Sequence, residues 1–199
     1  SQSSSPVQLL VSDLVIKAFD SVAINLTNGE LNVNRVEIDG SNMVSNNFAA
    51  SGIIAGSITT NYDVEATISD SYIHDISANT GSVGNSGVAI FATGGIKADA
   101  DIKRVTVSDI SNVTGNAYGI IFTAGVFGDL TPNKLMGSIS NSTISRVTSA
   151  NSLAGGIGAS SASNSSGASA DLRIDNSTVV GIEGTEPLPG LRSGGLVAF

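Results

Sequence analysis

Short blocks that open and close on an aliphatic residue, usually β-branched, with polar or small residues between, recur along the chain. Val33-Asn34-Arg35-Val36-Glu37-Ile38 is the first full example, and equivalent blocks begin at Ile68, Ile102, Ile139 and Ile174. Successive starts at 33, 68, 102, 139 and 174 are 35, 34, 37 and 35 residues apart, and Val11 to Ile16 provides an earlier block 22 residues before Val33. Three positions beyond the block an apolar residue usually returns, as Phe19, Ile76, Ile110, Val147 and Ile182, with Ser41 the exception. A second motif follows each block: Gly52-Ile53-Ile54-Ala55, Gly87-Val88-Ala89-Ile90, Gly119-Ile120-Ile121-Phe122, Gly156-Ile157-Gly158-Ala159 and Gly195-Leu196-Val197-Ala198. It reads as a further strand whose glycine permits a bend at a corner.

A fixed period of this length is the signature of a solenoid, in which one supersecondary unit buries its apolar face only against its neighbours. Val, Ile, Thr and Ser within the blocks, and Gly and Asn between them, disfavour helix. The expected fold is all-β: a single right-handed parallel β-helix of about six coils, with two or three strands per coil stacked about 4.8 Å apart into a rod roughly 30 Å long. Residues 1–7 read as a polar lead-in and 8–199 as the β-helix domain. That domain stops inside a second-motif strand, which reads as a truncated or uncapped end open to end-to-end association or to closure by a partner.

A coil of about 22 residues is the minimum seen, so longer repeats carry their excess as loops. Asn42 to Ser51, Asn79 to Ser86, Val113 to Ala117, Ser149 to Ala154 and Glu183 to Ser193 sit at equivalent places and should fan out on one edge. Phe127 to Leu135 and Ser160 to Ala170 form a less regular set.

Equivalent positions test the register, because like charges stacked directly would repel. The third block position runs Asp13, Arg35, Asp70, Arg104, Asn141, Asn176, which alternates in sign where it is charged. Two positions past the block the column is Gly40, Asp75, Asp109, Arg146, Gly181. Asp75 and Asp109 are the candidate calcium ligands. Arg146 relieving their repulsion in a solvated ladder is the preferred reading, since Ca²⁺ wants 6 to 8 oxygens; no cofactor is otherwise expected.

Net charge is −8, from 17 acidic and nine basic residues, and the basic residues are scattered, so nucleic acid is excluded as a partner. There is no cysteine, hence no disulfide framework or thiolate site. No apolar run reaches the roughly 20 residues that span a bilayer as a helix. The hydrophobic content of 41% argues for a folded chain.

Candidate chemistry is sparse. His74, the sole histidine, stacks in register with Asp39 and reads as a surface or hydrogen-bonded residue. Asp99 and Asp101 alternate onto one face beside Lys103, where a salt bridge is the simpler reading. Thr106, Thr143 and Thr178 form an outward column headed by Tyr72, Glu37 and Val15, which is too uneven to bind ice and reads as β-propensity. Asn25, Asn112, Asn141, Asn164 and Asn176 open sequons that an Asn/Ser/Thr-rich composition generates by itself.

The blocks at Ile139 and Ile174, followed by Gly155-Gly156-Ile157 and Gly194-Gly195-Leu196, resemble the right-handed parallel β-helix repeats of bacterial surface proteins, autotransporter passengers and polymorphic outer-membrane proteins among them. The resemblance covers about residues 8 to 199. It implies an exposed, outer-membrane-associated or secreted stalk used in adhesion, with loops setting specificity; fold transfers along such a resemblance better than function. The expected function is therefore a structural or adhesive module that binds a host or cell-surface glycan or protein through stacked loops without catalysis. The alternative is a carbohydrate-active domain of the polysaccharide lyase or hydrolase kind. Such a site needs converging carboxylates and solvent-facing aromatics. There is no Trp, and of Tyr62, Tyr72 and Tyr118 only Tyr72 lies in a repeated block. Enzymatic activity is the less favoured reading, no catalytic residue is assigned, and the ligand is left open.

Overall fold

The computed structural model describes residues 6–43, 50–56, 63–78, 84–125, 132–161, 167–185 and 193–198. Within them the chain is a parallel β-solenoid without helix. The first two turns have two strands each: β1 (Val7–Lys17) and β2 (Val22–Leu26), then β3 (Gly29–Asp39) and β4 (Ser51–Ala55). Four turns of three strands follow. These are β5 (Val64–Ser69), β6 (Tyr72–Ala78) and β7 (Asn85–Ala92); β8 (Lys97–Lys103), β9 (Thr106–Asn112) and β10 (Ala117–Ala124); β11 (Lys134–Ser140), β12 (Thr143–Ser149) and β13 (Ala154–Ser161); and β14 (Ser169–Asp175), β15 (Thr178–Gly184) and β16 (Gly194–Ala198). The expected parallel β-helix of about six coils, with two or three strands each, is present as four three-strand turns preceded by two shorter ones, in which one long strand runs through a corner that later turns break.

Each strand pairs in parallel with its counterparts in adjacent turns. The recurring blocks set the register. Val11 pairs with Val33, Val33 with Ile68, Ile68 with Ile102, Ile102 with Ile139, and Ile139 with Ile174. The second motif is aligned in the same way, with Ile24, Ile53, Val88, Ile120, Ile157 and Leu196 in one column. These ladders meet in the interior, where Ile38, Ile53, Ile68, Ile73, Ile76, Ile90, Ile102 and Phe122 are all fully buried. A slip of one residue would turn every aliphatic side chain to solvent, and this is why so regular a pattern holds its register.

Two corners are made by residues in the left-handed region. Asp13, Arg35, Asp70, Arg104, Asn141 and Asn176, the third block position, all have φ between 51° and 57°. Arg35 donates two hydrogen bonds to Asp13, at 2.5 and 2.7 Å, and Arg104 two to Asp70, at 2.6 and 2.7 Å, while Asn176 donates to Asn141 at 3.2 Å. The alternating charges are paired as the column required. Beside this corner Ser71 and Ser142 accept the N–H of Val36 and Val105 from the turn before, at 3.1 Å each, so corner amides that the ladder misses are satisfied.

The motif glycines have a different reason from the one expected. None of Gly52, Gly87, Gly119 and Gly156 lies at positive φ. Each is instead pressed against the following turn: a Cβ on Gly87 would fall 2.3 Å from Val107 Cγ1 and 2.8 Å from the carbonyl oxygen of Gly119. Close approach, not bending, excludes a side chain there.

Of the expected loops, Val113 to Ala117 and Ser149 to Ala154 are described and leave one edge of the solenoid between the second and third strands of their turns. Most of Asn42 to Ser51, Asn79 to Ser86, Glu183 to Ser193, Phe127 to Leu135 and Ser160 to Ala170 lies outside the described residues, as do Tyr62 and Asn164.

Candidate functional site

The second left-handed column bends the middle of the second-strand sheet. Asp75, Asp109, Arg146 and Gly181 have φ of 57°, 57°, 51° and 63° and drop out of the ladder, while residues on both sides stay paired. Over this bend a groove of about 830 Å³ runs along the solenoid axis. Asp75, Asp109 and Arg146 line it together with the column Ser77, Ser111, Thr148 and Glu183, and Ser41 and Met43 lie at one end. From this groove β9 and β12 lead into the described loops Val113 to Ala117 and Ser149 to Ala154.

Two of the groove carboxylates, Asp75 and Asp109, already have partners. Arg146 donates to both oxygens of Asp109, at 2.6 Å from Nε and 2.5 Å from Nη2. Those bonds hold the Asp109 carboxyl below the ordinary carboxylate range against the opposing effect of burial, and Asp109 in turn raises the Arg146 guanidinium. Asp75 accepts from His74 Nδ1 at 2.6 Å. The candidate calcium ligands are therefore neighbours on adjacent turns, with a guanidinium across one and an imidazole against the other. The structure brings Arg146 to Asp109, as the charge column suggested.

Acid should weaken this arrangement in a definite window. Asp13, Asp70 and Asp109 are each held below their ordinary value, chiefly by arginine hydrogen bonds. A depressed folded value brings stability that is present above the unfolded-state value of about 3.9 and lost as pH falls below it. The thermal midpoint should stay level from about pH 7 to 5 and decline below about pH 4. In Asp109→Asn the decline should be shallower, which circular dichroism melts across pH will read; an equal decline would remove Asp109 from the account.

A second cluster lies beside the groove on the outer face of turns two and three. Asp39 pairs with His74 in register, and Glu37 with Tyr72. The Tyr72 and His74 rings stack with centroids 4.2 Å apart and planes at 17°. Hydrogen bonds from Ser41, then from Lys17, hold the buried Asp39 carboxyl well below its usual range. His74 Nε2 is buried, lies 3.5 Å from Glu37 Oε1 and has no hydrogen-bond partner. Among the described residues His74 thus hydrogen-bonds no hydroxyl, and no nucleophile–base pair forms around it.

Lys103 bridges Asp101 at 2.5 Å, the structural pair expected, and Ser138 also donates to Asp101. Thr106, Thr143 and Thr178 stack in register beneath Tyr72, Glu37 and Val15. Tyr118 is only 6% exposed, lies against Gly155 and Gly158 of the next turn, and burial pushes its hydroxyl up to about 12. It is therefore no surface platform. The groove itself is not legible in the sequence, although its charged column is, because Asp75 and Asp109 tolerate left-handed backbone without requiring it and Arg146 does not favour it. The approach of Glu37 to His74 is legible in principle from the alternation of Glu37 and Asp39 above Tyr72 and His74.

No family model, curated protein or solved structure matches the chain. Among the described residues no helix is long and apolar enough to cross a membrane.

Proposed function

We propose that the chain is a secreted or surface-displayed structural and adhesive module of the kind the bacterial β-helix repeats suggest, and that it binds a linear glycan through the axial groove and the stacked loops without cleaving it. The observation that carries this reading is a groove continuous over successive turns in which Asp109 is bound to Arg146 and Asp75 to His74, so that Glu183 is left as a single carboxylate among the described lining residues. Glycoside cleavage requires a proton donor and a free base on two carboxylates, whereas here Asp109 is clamped by the Arg146 guanidinium and Asp75 is engaged by the His74 ring. The hydroxyls of Ser77, Ser111 and Thr148 repeat along the axis at the strand spacing, and suit hydrogen bonding to an extended polar chain. A protein partner would be anchored instead by buried aromatic or aliphatic contacts, and among the described residues the groove lining offers Met43 as its one large apolar side chain.

The test is a glycan array with a parallel polysaccharide-degradation screen, run with and without Ca²⁺. Binding without turnover is expected, and Ser111→Trp, which fills the groove from a half-buried outward position, should weaken it at least about tenfold, roughly 1.4 kcal/mol. Depolymerisation would overturn the reading in favour of a carbohydrate-active domain and direct substitution to Asp75, Asp109 and Arg146. Binding unaffected by Ser111→Trp would move the site off the groove.

A further inference from the structure

Glu37, Asp39 and His74 each offer one ligand atom, and these atoms lie within 4.8 Å of one another. The state of the imidazole gives the cluster its meaning. Asp75 is a carboxylate and can only accept, so at 2.6 Å the hydrogen between them belongs to His74 Nδ1. On a neutral ring Nε2 is then a lone pair. It is buried, has no partner and faces the Glu37 carboxylate, itself an acceptor, at 3.5 Å. Two acceptors turned toward each other call for something positive between them.

We infer that Glu37, Asp39 and His74 form a binding site for a divalent transition ion of the zinc type, with Asp75 fixing the histidine from behind. The donor set is one imidazole and two carboxylates, which suits borderline ions and leaves a fourth position open to solvent or to an anionic ligand. The Asp75–His74 bond supplies the carboxylate–histidine–metal arrangement that orients a ligating ring. The stacked Tyr72 ring further restrains it. Metal–ligand bonds of about 2.0–2.2 Å need the three atoms drawn in by roughly 1 Å. Glu37, whose side chain is 41% exposed, has room to make that movement.

Lys17 is the competitor. Its Nζ lies 3.1 Å from Asp39 Oδ2, and its side chain is 56% exposed. An ion drawing on Asp39 has to displace or share that contact, so removing the lysine charge should tighten binding. A structural role for His74 alone gives no such dependence.

The experiment is a calorimetric titration of the full chain with Zn²⁺, together with ¹⁵N-correlated NMR of the imidazole, which reads His74 without assignment because the chain has one histidine. Stoichiometric binding is expected, with a shift at Nε2 and Nδ1 still protonated. His74→Gln and Glu37→Gln should each weaken binding at least about tenfold, and Asp75→Asn should weaken it by a comparable factor through the ring. Lys17→Met should strengthen it, and Asp99→Asn, on another face, should change nothing. Glu37 is a half-exposed residue, so its variant keeps the test valid if His74→Gln folds poorly. Ring resonances unmoved by millimolar Zn²⁺ would overturn the inference, as would unaltered binding in Glu37→Gln. A doubly protonated ring that ignores Zn²⁺ would also overturn it, by showing that a proton is what lies between the two acceptors.

Discussion

Gly119→Ala should lower the stability of the solenoid by about 3 kcal/mol, at the upper end of ordinary overpacking costs. A methyl group there would fall 2.3 Å from Ile144 Cγ2 and 2.6 Å from the carbonyl oxygen of Gly156. Ile144 is fully buried and Gly156 is part of the β13 backbone, so neither yields without disturbing a ladder. Gly195 holds the same motif position in the sixth turn, yet its nearest neighbour to a new Cβ is Val179 Cγ1 at 3.6 Å, an ordinary contact. Gly195→Ala should therefore be near neutral. Urea denaturation of the two variants separates the explanations: a motif glycine needed for backbone freedom would make both substitutions costly, whereas one needed for close approach makes only the first so.

Phe122→Ala should cost about 3–5 kcal/mol, the range for emptying a buried aromatic position. Phe122 is fully buried in the Ala55–Ile90–Phe122–Ala159 column. Its ring reaches toward Gly137, where a Cβ would lie 2.5 Å from Cε1. The ring occupies the volume that Ala66, Ala100 and Leu172 partly fill in neighbouring turns. Gly137→Ala should thus destabilise the native chain but recover part of the loss when combined with Phe122→Ala, with a coupling of about 1–2 kcal/mol. Additive urea midpoints would show that the two positions do not share a cavity.

The block register is legible in the chain itself, because the aliphatic ends of each block fix which residues face inward, and the stacked Asp and Arg support the same alignment independently. Asp13 with Arg35 and Asp70 with Arg104 are paired as their column implies. The reason for Gly52, Gly87, Gly119 and Gly156 is not legible there: a sequence shows that a side chain is missing but not what approaches the gap. Division of the corner also escapes it, since β3 runs through a left-handed Arg35 whose equivalents separate strands in every later turn.

Of the candidate site, the column of Asp75, Asp109 and Arg146 reads in sequence as a ladder of charges, and the hydrogen bonds between Asp109 and Arg146 make it one. Its position on a concave surface depends on left-handed backbone that Asp tolerates better than most residues and Arg does not, and that the stacking of turns imposes on both. Counting alone aligns His74 with Asp39. Its bond to Asp75, and the unpartnered Nε2 that follows from it, depend on a ring rotation that no spacing encodes.

By itself, then, the sequence determined the architecture, because a parallel ladder repeats one apolar pattern at one period and tolerates no slip. Tertiary structure decided where the chain is concave, which carboxylates are already paired and which nitrogen is left facing another acceptor. Those depend on distances between residues some 35 positions apart, set by the stacking of turns and by the few left-handed residues that steer the chain around each corner.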